Sequence, residues 1–130
     1  MRRTPAGKRA LVPRTPLLTL PILAGRHQLA ITRLKRTDDC FTLKYTVTPP
    51  LPDPVDGLPT LPVLEAEDDL GNAYDDYGGA FGTSPDGTHT DGSLSARPAL
   101  DPDAGTLRLR ITYLHGGKET AYDVTLGIRH

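Results

Sequence analysis

The residues best equipped for chemistry are acids and aromatics gathered in one short stretch. Glu65, Glu67, Asp68, Asp69, Asp75 and Asp76 are close in sequence, with Asn72 among them. Calcium takes roughly six to eight oxygen ligands and often draws them from closely spaced loop carboxylates. If a hairpin forms here, Asp68, Asp69 and Asn72 converge, with Asp75 or Asp76 at the margin of reach. The spacing fits no EF-hand, and a solvated acidic edge that discourages sheet-to-sheet pairing is the stronger reading. Weak calcium binding stays as the alternative, with the metal itself unassigned.

Tyr74, Tyr77 and Phe81 lie beside these acids, with Gly78, Gly79 and Gly82 interspersed. Aromatics next to carboxylates on a flexible loop suit a sugar or a cationic peptide. Tyrosines in strands are more often half-buried with the hydroxyl reaching water. The candidate ligand-binding set is therefore Asp68, Asp69, Asn72, Asp75, Asp76, Tyr77 and Phe81, with Tyr77 and Phe81 foremost.

Elsewhere the chemistry is thin. Cys40 follows Asp38 and Asp39, and adjacent carboxylates disfavour the thiolate that a nucleophile needs. His27, His89, His115 and His130 are scattered without metal-ligand spacing to one another or to the cysteine. No phosphate loop, dinucleotide fingerprint or nucleophile elbow occurs. No catalytic residue, cofactor or enzymatic activity is expected.

The elements that must position these residues read as strands. Phe41, Leu43, Tyr45 and Val47 alternate with Thr42, Lys44, Thr46 and Thr48, the pattern of a strand with one buried and one wet face. Residues 28–34 form a second strand, and 17–23 an edge strand that tolerates Pro21. Six prolines between 49 and 62 exclude a helix or central strand there and predict an extended crossing loop. Residues 61–68 and 73–77 read as two strands joined by Asp69-Leu70-Gly71, a hairpin turn with Gly at the left-handed position. Residues 78–92 read as a polar glycine-rich loop, and 93–99 as a weak strand near Pro98.

The last forty residues carry the clearest pattern. After the turn Asp101-Pro102-Asp103-Ala104-Gly105, strands over 106–115 and 118–126 flank Gly116-Gly117, which suits a type I′ turn. His115 then faces Lys118, and the register places Leu107 against Leu126, Leu109 against Val124 and Ile111 against Tyr122. Arg110 meets Asp123 on the other face. A one-residue slip breaks every pair at once.

Composition agrees with such a fold. The 130 residues include 13 Pro and 13 Gly, and 37% are hydrophobic, enough for one core with many short connections. The net charge of −1 hides an imbalance, because residues 1–36 hold nine Lys and Arg and no acid. The chain divides into a basic flexible arm, 1–16, and a single domain, 17–130. Nucleic-acid or membrane contact through the arm is disfavoured, since it lacks interleaved aromatics and basic helical periodicity. One cysteine forms no intrachain disulfide, and the short apolar stretch around Pro21 fits neither a signal peptide nor a span. A cytoplasmic location is expected.

The strand 41–47, the segment Asp69-Leu70-Gly71-Asn72-Ala73-Tyr74, the strand beginning at Gly92 and the run Leu107-Arg108-Leu109-Arg110-Ile111 together resemble the immunoglobulin-like domains of unknown function common in bacterial, especially actinobacterial, proteins. The resemblance covers about three-quarters of the chain and lacks the Cys…Trp…Cys signature of antibody-like domains. It implies an all-β antiparallel sandwich of seven to eight strands, with the Asp-Gly-Tyr turn structural. It also implies a non-enzymatic binding or accessory module that meets a protein partner through loops or an edge strand.

Overall fold

The computed structural model describes residues 16–51, 61–115 and 117–128. Most of the basic arm and of the proline-rich connection lie outside the described residues, as do Gly116 and the His115 side chain. Eight strands follow in chain order: β1 (Leu18–Ile22), β2 (His27–Arg36), β3 (Phe41–Thr48), β4 (Leu61–Asp68), β5 (Ala73–Thr83), β6 (Thr90–Arg97), β7 (Thr106–His115) and β8 (Lys118–Gly127). All neighbouring pairs are antiparallel, in the order β1-β2-β3-β6-β5-β4-β7-β8.

The period-2 pattern decides which face is inside. In β3, Phe41, Leu43, Tyr45 and Val47 are buried and the residues between them are not. β7 buries Leu107, Leu109, Ile111 and Tyr113 in the same way. The β7–β8 register is the expected one throughout, with Leu107 opposite Leu126, Ile111 opposite Tyr122 and His115 opposite Lys118. Arg110 grips Asp123 by two bonds, 2.8 and 3.1 Å. Gly117 has φ +81°, the left-handed geometry that a tight hairpin requires.

The ladder becomes a sandwich at β5. Its first residues, Ala73 to Asp75, pair with β4, whereas Asp75 to Thr83 pair with β6 across a register shift between Asp76 and Gly79. The chain therefore turns the corner from one layer to the other within a single strand, as bulged strands do. The layers β2-β3-β6-β5 and β4-β7-β8 have the strand order of an immunoglobulin constant-type sandwich, with β1 added outside β2. Phe41 and Tyr74 meet edge to face, 5.5 Å between centroids. On the far side Tyr122 Oη accepts from the Leu23 amide at 2.7 Å, and Arg36 donates to the Ile128 carbonyl, linking the first strands to the last.

One expectation needs correction. Residues 78–92 are not a loop: Gly78 to Thr83 continue β5, Thr90 to Gly92 begin β6, and only the short turn between them is irregular. β4 runs without a bulge. Leu64, Ala66 and Asp68 point inward while Leu61 and Val63 are exposed, in unbroken register with β7.

Candidate functional site

The acidic turn converges as expected, but on donors rather than on a cation. Asp68 ends β4 facing the interior, only 5% exposed. Its Oδ1 accepts from the amides of Leu70 and Asn72, both 2.9 Å away. Its Oδ2 accepts from Asn72 Nδ2 at 2.9 Å and from the Tyr74 hydroxyl at 2.7 Å. Burial pushes the carboxyl pKa up, and the hydrogen bonds from Asn72, Tyr74 and Leu70 outweigh it, holding the group below the usual carboxylate range. Four donors occupy the lone-pair directions that calcium would need.

Asp69 is committed similarly. Its Oδ1 accepts from the amides of Gly105 and Thr106, which lower its pKa and pin the β4–β5 turn to the start of β7. Asn72 Nδ2 also reaches Asp101 Oδ2 at 3.2 Å, while the Asp101 amide donates to the Tyr74 hydroxyl. Gly71, at φ +90°, supplies the left-handed turn residue. The cluster Asp68, Asp69, Asn72, Tyr74 and Asp101 thus joins two turns. Tyr74 and Asp101 are the members that sequence reasoning did not assign.

Asp75 and Asp76 do not join that cluster. Asp75 stands on the outer face, in register with Glu65 on β4 and Arg97 on β6. Asp76 turns back: its Oδ2 accepts from the Leu64 amide at 2.9 Å and its Oδ1 from the Gly78 amide at 2.8 Å. Tyr77 is 51% exposed, with the Arg97 guanidinium 4.2 Å from its ring centroid. That face of the ring already holds a cation. Among the described residues no group of three His, Cys, Asp or Glu forms a metal-binding cluster. No helix among them is long and apolar enough to cross a membrane.

The expected site residues are therefore divided. Asp68, Asp69, Asn72 and Asp76 are held in hydrogen bonds within the fold, Tyr77 stacks with Arg97, Asp75 stands exposed on the outer face, and Phe81 lies on the far half of β5. Every residue of β5 except Tyr74 is exposed, on both faces of the strand. Phe81 is in register with Gly92, and Gly79 with Leu94, which places them on the inward side of the sheet. Phe81 is nonetheless 39% exposed. The reason is the corner: the start of β4 lies across β6 from the opposite layer and leaves the end of β5 overhanging. Leu61, Pro62, Gly79, Phe81 and core residue Leu94 line a small cleft of about 90 Å³ at this mouth.

Among the described residues, the overhang leaves backbone groups without a strand partner. The Ser84 amide donates to the His89 carbonyl at 2.8 Å, and the register runs unbroken from Thr83–Thr90 back to Gly79–Leu94. In an antiparallel ladder successive residues face alternate sides. Gly82 and Ala80 therefore face β6, and Gly79, Phe81 and Thr83 face outward. The other edges are guarded. β1 is short and carries Pro21. At the start of β4 the groups facing the gap belong to Pro62, which has no donor, and Leu64, whose amide is capped by Asp76. Lys118, Glu119 and Asp123 place charges along β8. Residues 78–83 contain no proline and no charge.

The chain matches no known protein family and no curated protein. Among solved structures it is similar to bovine butyrophilin, at 15% identity and a TM-score of 0.39, covering 85% of this chain and 44% of that one. The chain thus spans less than half the length of that structure.

Proposed function

We propose that the protein is a non-enzymatic binding module that takes up an extended segment of a protein partner along the open edge of β5. The uncapped backbone of Gly79, Phe81 and Thr83 is the observation that supports this reading. Natural sheets blunt their edges, and among the described residues this one guards three and leaves the fourth bare. Strand addition draws affinity from main-chain hydrogen bonds and selectivity from alternate side-chain positions. Phe81 and the cleft beside Leu61 supply one such position. Kinship with actinobacterial immunoglobulin-like domains is part of the proposal and rests on the sequence segments alone.

The test is selection of extended peptides from a displayed random library against the full chain. Selected peptides are expected to shift the amide resonances of Phe81 and Thr83 and to pair as an added strand. Thr83→Pro removes an outward donor without touching the β6 ladder and should abolish their binding. Peptides that bind elsewhere, or that bind Thr83→Pro equally well, overturn the proposal.

A further inference from the structure

We infer that the segment seated on this edge is that of a second copy of the chain, paired antiparallel about a two-fold axis at Phe81. The inference rests on the reading of the β5 edge as a binding site and names its occupant. Self-pairing demands that outward-facing groups meet outward-facing groups. Centred on Phe81, it sets Phe81 opposite Phe81 of the second copy and Gly79 opposite Thr83, so the three outward residues on each side are used. Centring on Ala80 or Gly82 also opposes outward groups, but pairs only two of the three on each copy, Gly79 with Phe81 or Phe81 with Thr83.

The charge pattern permits the same arrangement. Residues 78–83 are Gly-Gly-Ala-Phe-Gly-Thr, so no like charges are opposed across the axis. On the outer face Ala80 meets Gly82, two positions with little side chain to obstruct approach. On the inner face the two Phe81 rings adjoin, each beside its own Gly92 and within reach of the cleft at Leu61 and Leu94. The interface is isologous and closed, so it consumes the bare edge on both copies and leaves none for a third. Its small extent implies a weak, concentration-dependent dimer.

Sedimentation equilibrium of the full chain over a wide concentration range decides the point. A monomer–dimer equilibrium is expected, with Thr83→Pro raising the dissociation constant at least about tenfold. Phe81→Lys, which opposes two cations at the axis, should do the same, and it stands alone if Thr83→Pro fails to fold. Thr120→Lys on the guarded β8 edge should change nothing. Dimers that survive both β5 variants overturn the inference. So does a monomer at every concentration. If that monomer still binds selected peptides at β5, self-pairing fails and the edge reading stands. If it binds none there, both fail.

Discussion

Asp68 shows how residue type and residue role can part. An aspartate before a glycine turn, among other acids, reads as a metal ligand or as solvated charge, because sequence supplies oxygens without saying what they face. The fold turns this one inward against two amides, an amide side chain and a hydroxyl. Removing it strands those donors in a nearly buried place. Asp68→Ala should lower unfolding stability by about 2–4 kcal/mol in urea titration. Asp68→Asn, which retains an acceptor, should cost less. Asp68, Asp69 and Asp123 are all held below their ordinary pKa, and the Ser84 and Thr88 bonds hold Asp86 down to about 2. These groups take up protons more readily in the unfolded chain. Their contribution is present above the unfolded value of about 3.9 and is lost as pH falls through the lower folded values. Denaturation midpoints should therefore decline as pH drops below about 4, and Asp68→Asn should make that decline shallower. A variant with an unchanged acid limb would show that Asp68 takes no part in it.

At the scale of elements, legibility followed alternation. β3, β7 and β8 carry clean period-2 patterns, and the Gly-Gly turn sets the β7–β8 register, so both strand positions and partners were readable. β5 has no such pattern. With both faces exposed beyond Tyr74 and three glycines in its far half, it offers no apolar alternation and reads as loop. Glycine has a different task at Gly92 on β6. Its partner across the ladder is Tyr45, and a Cβ at Gly92 would collide with the Tyr45 ring, so the tyrosine fills the space that a side chain would take. Gly92→Ala should cost roughly 1–3 kcal/mol through overpacking, and shrinking the ring with Tyr45→Leu should recover part of that loss in a double-mutant cycle. The Tyr45 hydroxyl is buried without a hydrogen-bond partner among the described residues, as is that of Tyr113. Burial pushes Tyr45 up to about 12 and raises Tyr113 as well. Tyr45→Phe should accordingly be neutral or stabilising in the same titrations. Independent losses at Gly92 and Tyr45 would mean that the ring and the glycine are not packed together.

For the whole molecule, the sandwich class was readable from the count of short strands, but its edges were not. Which strand ends bare depends on the order β6-β5-β4 and on the corner at Asp76, and neither leaves a local signal. Native-state hydrogen exchange should expose the distinction at single-residue resolution. Amides of Ala80 and Gly82 should be protected, and those of Phe81 and Thr83 should exchange rapidly in dilute protein and slow as concentration rises. Uniform protection along β5 would contradict the alternation on which the bare edge depends.

Asp75 has a consequence at this scale, since it faces Glu65 in one layer and Arg97 in the other. One strand is thus common property of both layers, and neither layer can be stripped without breaking the other's ladder. The core should melt as a single cooperative unit, with no stable half-sandwich surviving alone. The far end of β5 stands outside that bargain. Its residues bury little and, among the described residues, pair with β6 alone, so they can detach and return while the remainder stays folded. The hinge that binds the two layers into one unit also sets one short length of chain free to rearrange.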